Sequence, residues 1–154
     1  MPEGGKPAAA AEMRKHADGF VARVASSRLP LDYTVASLRV VDFLIDGLRK
    51  GRANADPARL DVVLFGLGAY VGEVLARRAG AVWVDLDEAQ RAYFGQWVGV
   101  RMPDGRVWSP LGKVVNRYEV GAEESLQTFY LTLPGRAAAP RPATERESRA
   151  CAAR

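Results

Sequence analysis

The sequence predicts a single α+β domain in which helices pack on a small antiparallel sheet. The chain has 154 residues, which is the length of one domain. Apolar residues recur at helical spacing as far as Ala79 and alternate at strand spacing from Ala81. A Pro-Asp-Gly turn at residues 103–105 then separates two short strand patterns, which is typical of a β-hairpin.

We expect the folded domain at residues 12–133, with its core at about residues 31–133, between two disordered tails. Residues 1–11 are of low complexity, and residues 134–154 are rich in Ala, Pro and Arg. The second tail has five Arg and two Glu, and therefore contributes +3 of the formal net charge of +4. Because the remaining 17 cations and 16 anions nearly cancel, the domain lacks the concentrated positive charge of a nucleic-acid-binding protein.

The first predicted helix covers residues 12–27 and carries one apolar stripe. Gly19 lies within it and weakens it by about 1 kcal/mol relative to Ala. We therefore expect a loosely docked helix. The alternative of a membrane-surface helix fits less well because Glu12 and Asp18 interrupt its basic face. The stripe consists of Met13, Ala17, Phe20 and Val24.

Two further helices are expected before the sheet. The second has apolar residues at helical spacing from Val35 to Leu48, after a cap at Asp32 or Thr34. The third runs from Pro57 to about Ala79 and ends at Gly80, which suits the left-handed position after a helix. The first half of the third helix is apolar on nearly every face, which is typical of a helix at the centre of a fold.

Three short strands are predicted at residues 81–84, 97–102 and 106–109, whereas residues 85–95 fit either a short helix or a loop. A type I turn with a glycine bulge would place Val100 opposite Trp108 and Met102 opposite Arg106. Residues Val98, Val100, Met102 and Trp108 would then face the helices. Trp97 and Arg101 would lie on the other face of the sheet, where an exposed Trp and Arg favour a partner site.

Two short helices are expected to close the domain. Ser109 and Pro110 are typical of an N-cap and first helical residue, and Gly121 ends this helix. The last helix is predicted from Ala122 to Leu133.

Three glycines in the third helix require compensation, because each costs about 1 kcal/mol relative to Ala. Gly66, Gly68 and Gly72 permit either close packing by another element or access for a ligand. In the same helix, Glu73 and Arg77 are four residues apart and therefore within reach of each other.

The pair formed by Glu73 and Arg77 has two interpretations. It is a half-buried ion pair of small energetic effect, or a general base and anion clamp in a cleft, with Tyr70 as hydroxyl donor. Paired acid–base chemistry needs a second carboxylate, for which Asp85 and Asp87 are candidates by proximity in sequence alone.

Lys113 and Arg117 form a second candidate site, since they are four residues apart near the start of a helix. They predict either an anion site or a solvated helix face. The three Trp residues fit a core or its rim better than base stacking. Phosphate-loop and Gly-x-Ser-x-Gly patterns are absent from the sequence. With one His and one Cys, we expect no transition-metal site and no cofactor.

Two motifs are specific enough to suggest a relationship: Gly-Ala-Tyr-Val-Gly-Glu-Val at residues 68–74 and Glu-Ser-Leu at residues 124–126. Together with Trp83 and the Pro-Asp-Gly hairpin, they resemble a family of small bacterial proteins of actinomycete type. The resemblance covers about residues 31–131. No activity is known for that family, so the resemblance implies a compact α+β domain and nothing about a substrate.

From these patterns we expect a non-enzymatic binding or interaction module, of an immunity-like or regulatory kind. The alternatives are a small enzyme or ligand-binding protein that uses Glu73 with Arg77 or Arg117, and a structural protein that acts as an oligomer. The expected partner is another protein or a second copy of the chain, and neither nucleic acid nor a membrane.

The longest apolar stretch, residues 62–72, is too short to span a bilayer, and the N-terminus lacks a secretory signal. The single cysteine, Cys151, fits a cytoplasmic location.

Overall fold

The computed structural model describes residues 9–25 and 29–134. Most of both predicted tails, residues 1–8 and 135–154, lies outside the described residues. The described ranges form six α-helices and one three-stranded antiparallel sheet, which confirms the predicted α+β class. The helices are α1 (Met13–Val24), α2 (Leu38–Lys50), α3 (Pro57–Ala79), α4 (Glu88–Phe94), α5 (Pro110–Val120) and α6 (Leu126–Thr132). The strands are β1 (Val82–Asp85), β2 (Val98–Arg101) and β3 (Val107–Trp108).

Helix α3 is the buried centre of the fold, as its apolar pattern predicts. The Asp56 side chain accepts the amide of Ala58 at 3.1 Å, and Pro57 fills the first helical position. Gly80 adopts the left-handed conformation (φ 74°) and donates its N–H to the carbonyl of Leu75, which ends the helix. Both predicted boundaries are therefore confirmed.

Helix α1 belongs to the core, so the expected loose docking and the expected core boundary near residue 31 are wrong. Met13 and Ala17 are fully buried, and Phe20 is 4% exposed. Gly66 of α3 makes room for the Phe20 ring: a Cβ at that position would lie 2.4 Å from the ring. Gly19 faces solvent. Its intrinsic penalty therefore leaves the packed stripe intact.

The hairpin has the predicted register. Val100 pairs with Trp108, and the N–H of Met102 donates to the carbonyl of Arg106 at 2.7 Å. Gly105 takes a positive φ of 90°, as the turn requires. Strand β2 lies between β1 and β3. Its residues Val98 and Val100, and Met102 directly after it, are buried against the helices.

Capping hydrogen bonds explain the segments for which the sequence predicted either a helix or a loop, or a helix with different ends. Residues 85–95 contain helix α4, because Asp87 and Gln90 form a reciprocal capping box. Ser109 caps α5 as predicted, accepting the amide of Gly112 at 3.0 Å. The last predicted helix is divided into a 3₁₀ turn at residues 122–124 and α6, which Ser125 caps. The cap of α2 expected at Asp32 or Thr34 is wrong, because the residue before α2 is Ser37; Asp32 instead accepts the amide of Thr34 in a turn ahead of the helix.

Candidate functional site

Glu73 and Arg77 form the ion pair that their spacing predicts. The Arg77 Nε donates to Glu73 Oε2 at 2.8 Å. The other carboxylate oxygen, Oε1, accepts the indole N–H of Trp83 at 3.2 Å. Glu73 is 4% exposed. A carboxylate that is buried and has both oxygens engaged is poorly placed to take a proton from a substrate.

The Arg77 side chain continues this network to α1 and to the segment before α2. Its guanidinium lies 3.6 Å from the ring centroid of Tyr33, and its Nη2 is 3.3 Å from Asp18. The Tyr33 hydroxyl donates to the same carboxylate of Asp18 at 2.6 Å. Burial lowers the pKa of Arg77, but the hydrogen bond and the charge of Glu73 outweigh burial and hold that pKa above its ordinary value.

Tyr70 has a different role from the predicted one, because its hydroxyl bonds to the backbone and side chain of the segment before α2. It lies 2.6 Å from the Ser37 Oγ and accepts the N–H of Tyr33 at 2.8 Å. Tyr33 has a left-handed backbone (φ 61°), which is rare for an aromatic residue. Its carbonyl accepts Arg78 Nε at 2.9 Å, and its ring stacks on Tyr70. Tyr70 therefore holds a strained turn, and burial raises the pKa of its hydroxyl.

The two carboxylates considered as partners for Glu73 are engaged elsewhere. Asp85 accepts the backbone N–H of Ala10 at 2.8 Å, and Asp87 caps α4. The glycines of α3 also serve packing: a Cβ on Gly68 would meet Leu111 at 2.4 Å, and one on Gly72 would meet the Trp83 ring at 2.0 Å. The Glu73 network is therefore a closed structural unit that joins α1, α3 and β1.

Arg117 lies in a second buried network, so a solvated face is wrong for this residue, and its guanidinium is already paired with carboxylates of α2. It is 2% exposed, and its guanidinium contacts Asp42 Oδ1 at 3.1 Å and Asp46 Oδ1 at 2.7 Å. Asp42 also accepts the N–H of Leu126 at 2.9 Å, at the start of α6. Both carboxylates come from α2, so this network ties α2, α5 and α6 together.

Lys113 is not part of this buried network, and its ammonium lies over two aromatic rings. Its ammonium lies 4.9 Å from the ring centroid of Phe129 and 5.5 Å from that of Trp108. Sequence reasoning missed Phe129 as its neighbour because α6 follows α5 only after a turn whose direction the local pattern does not encode.

Trp97 and Arg101 lie on the sheet surface opposite the one that packs on α3 and α5, and we call this surface the outer face. The strand residues on it are Val82, Val84, Gly99, Arg101 and Val107, as the pairing of the strands dictates. Trp97, immediately before β2, is 41% exposed, and the Arg91 guanidinium lies 4.8 Å from its ring centroid. Val82, opposite Arg101, is 54% exposed. Within the described part of the chain, the Arg101 side chain has no ion-pair partner.

Comparison with known proteins does not assign the chain to a family. The chain matches no protein-family model, no curated protein and no solved structure. The motif resemblance to small bacterial proteins therefore stays a prediction. In residues 9–25 and 29–134, His, Cys, Asp and Glu side chains form no group of three that could hold a metal ion. The helices of these same ranges include none long and apolar enough to cross a bilayer. Cys151 lies outside the described residues.

Proposed function

We propose that this protein is a non-enzymatic binding module and that the outer face of its sheet docks on an acidic surface of a partner protein. The observation that carries the proposal is the stack of Arg91 on exposed Trp97, on a face that also carries Arg101, whose side chain has no ion-pair partner among the described residues. Trp and Arg are the residue types most enriched among those that dominate binding energy. The exposed part of the Trp97 ring keeps apolar surface in contact with water, and burying that surface against a partner would be favourable.

The charge of the outer face selects the class of partner. Arg91 and Arg101 are cationic, and the strand residues facing the same way are apolar. Such a face attracts a carboxylate-bearing protein surface and disfavours a second copy of itself. Nucleic acid fits less well because residues 1–133 are nearly neutral. The single cysteine fits a reducing compartment, so the proposal includes a cytoplasmic partner.

The engaged state of Glu73 supports a binding role over an enzymatic one. Its carboxylate would have to release Arg77 and Trp83 before it could act as a base. The same contacts make Glu73 a positioning residue for Trp83 and thereby for strand β1.

The test is a pair of matched double variants. Trp97→Ala with Arg101→Ala removes an aromatic ring and a guanidinium from the outer face. Arg39→Ala with Phe43→Ala removes the same two groups from the exposed side of α2, where Phe43 is 68% exposed. The full-length protein is used as bait in native extract, each captured protein is purified, and its affinity is measured by calorimetry.

Loss of the outer-face pair should weaken binding about 30-fold, which corresponds to roughly 2 kcal/mol for residues that dominate an interface. The α2 pair should stay within about twofold of wild type, and affinity should fall as salt is raised because the partner surface is acidic. Equal binding by both variants, or an affinity insensitive to salt, would overturn the proposal. A melting temperature that collapses in the outer-face variant would make Trp97 and Arg101 structural, and a homodimer as the sole complex would favour the oligomer alternative.

A further inference from the structure

A groove separate from the Glu73 network lies where the end of α4, strand β3 and the first turns of α5 meet. Its volume is about 620 Å³, within the range of roughly 300–1,000 Å³ typical of small-molecule sites. Gly112 lies beside the backbone of Phe94 at this point, which brings the two helices close together.

The walls of the groove combine aromatic rings with positive charge. Tyr93, Phe94 and Trp108 supply the rings, and Lys113 and Arg106 supply the cations. Tyr93 is 83% exposed and meets Phe94 edge to face, with ring centroids 4.9 Å apart. An exposed ring on a groove rim offers a stacking surface to a flat ligand.

The charge of the groove is carried mainly by Lys113. Arg106 is paired with Asp104, at 3.3 Å between Nε and Oδ2. Lys113 has no ion-pair partner among the described residues, and its ammonium is held over the Trp108 and Phe129 rings. The residues that line the groove, all within the described ranges, carry no carboxylate. An anionic group beside Lys113 would thus meet an unpaired cation in a partly desolvated place.

We propose that this groove is a binding site for a small planar aromatic anion, with the ligand ring against Tyr93 and Trp108 and its anionic group at Lys113. The groove is lined by side chains outside the Trp97 and Arg101 pair, so this site does not depend on the proposed function.

The test compares two probes of the same shape, 2-naphthoate and its uncharged analogue 2-naphthamide, by ¹H–¹⁵N NMR on the full chain. The indole N–H signals of the three Trp residues report on three separate places. The Trp108 indole N–H is buried without an acceptor among the described residues, whereas that of Trp83 is bonded to Glu73. Naphthoate should shift the Trp108 indole signal and the backbone amides of Gly112 and Lys113, with Kd on the order of 1 mM for a ligand this small. The Trp83 signal should not move.

Three variants separate charge recognition from ring stacking. Lys113→Gln should weaken naphthoate binding about two- to fivefold and leave naphthamide binding unchanged, because it removes only the charge. Tyr93→Ala should weaken both probes by about two- to tenfold, because it removes a stacking ring. Lys50→Gln, at an exposed lysine at the end of α2, is the control and should change neither affinity.

Several results would overturn the site. One is that the NMR signals shifted by naphthoate belong to residues outside the groove. Others are equal binding of the two probes by the wild type, or a Lys113→Gln variant that binds naphthoate as tightly as the wild type does. Melting temperatures within about 2 °C of wild type exclude misfolding as the cause of any loss.

Discussion

The replacement Gly68→Ala tests whether the glycines of α3 exist for packing. A methyl group at residue 68 would lie 2.4 Å from Cδ2 and 2.9 Å from Cα of Leu111, the second residue of α5. Carbon atoms prefer about 3.5–4.0 Å, so the backbone of α5 must move away by roughly 0.5–1 Å. A rotamer change of Leu111 relieves the first contact but not the second, because Cα is part of the backbone.

The expected loss follows from two opposing effects. Overpacking of a close-packed core costs about 1–3 kcal/mol, and a contact with backbone belongs at the upper end. Replacing glycine by alanine in a helix contributes about 1 kcal/mol of stability. The free energy of unfolding should therefore fall by about 2 kcal/mol, and the melting temperature by roughly 8 °C for a domain of this size.

Gly47→Ala is the matched control, because Gly47 is also inside a helix but has open space where its Cβ would be. This variant keeps only the helical contribution and should be more stable than wild type by about 0.5–1 kcal/mol. Both are measured by urea and thermal unfolding followed by circular dichroism. If Gly68→Ala is as stable as Gly47→Ala, then close approach of α5 does not explain the glycine, and access for a ligand becomes the better explanation.

Two further predictions concern the buried networks. Arg117→Ala should lower the free energy of unfolding, measured by urea unfolding, by about 2–3 kcal/mol, because it leaves Asp42 partly buried without its cation. Replacement of the exposed Arg106 by Ala is the control and should change this free energy by less than about 0.5 kcal/mol. Equal losses in the two variants would contradict a structural role for the Arg117 network. Burial and the hydrogen bond to Asp18 raise the pKa of the Tyr33 hydroxyl above its ordinary value near 10. The stability that the protonated hydroxyl contributes is therefore complete below about pH 10, and it is lost as the pH rises from there toward the folded-state pKa. Tyr33→Phe should therefore be less stable than wild type at pH 7, and the difference should shrink above pH 10 in urea unfolding; a constant difference up to pH 11 would show that Tyr33 ionises alike in the folded and unfolded chain.

Much of the local structure was determined by the sequence itself. The ends of α3 follow from Asp56, Pro57 and Gly80, because a cap, a first-turn proline and a left-handed glycine act on neighbouring backbone atoms. The register of the hairpin follows from its turn, and the Glu73–Arg77 pair follows from helical spacing. In each case the interacting groups are only a few residues apart, so their geometry is nearly independent of the rest of the chain.

The tertiary structure decided which of these residues share a site. Arg117 meets Asp42 across 75 residues of sequence, and Trp83 rather than Tyr70 completes the shell of Glu73. The burial of α1 likewise depends on the space above Gly66, which no local pattern in α1 encodes. A short-range pattern fixes the face on which a side chain lies, but the partner on that face is set by how whole elements pack. For this reason the sequence alone could name Arg117 as a candidate for binding an anion, whereas in the folded chain its guanidinium is paired with two carboxylates of α2.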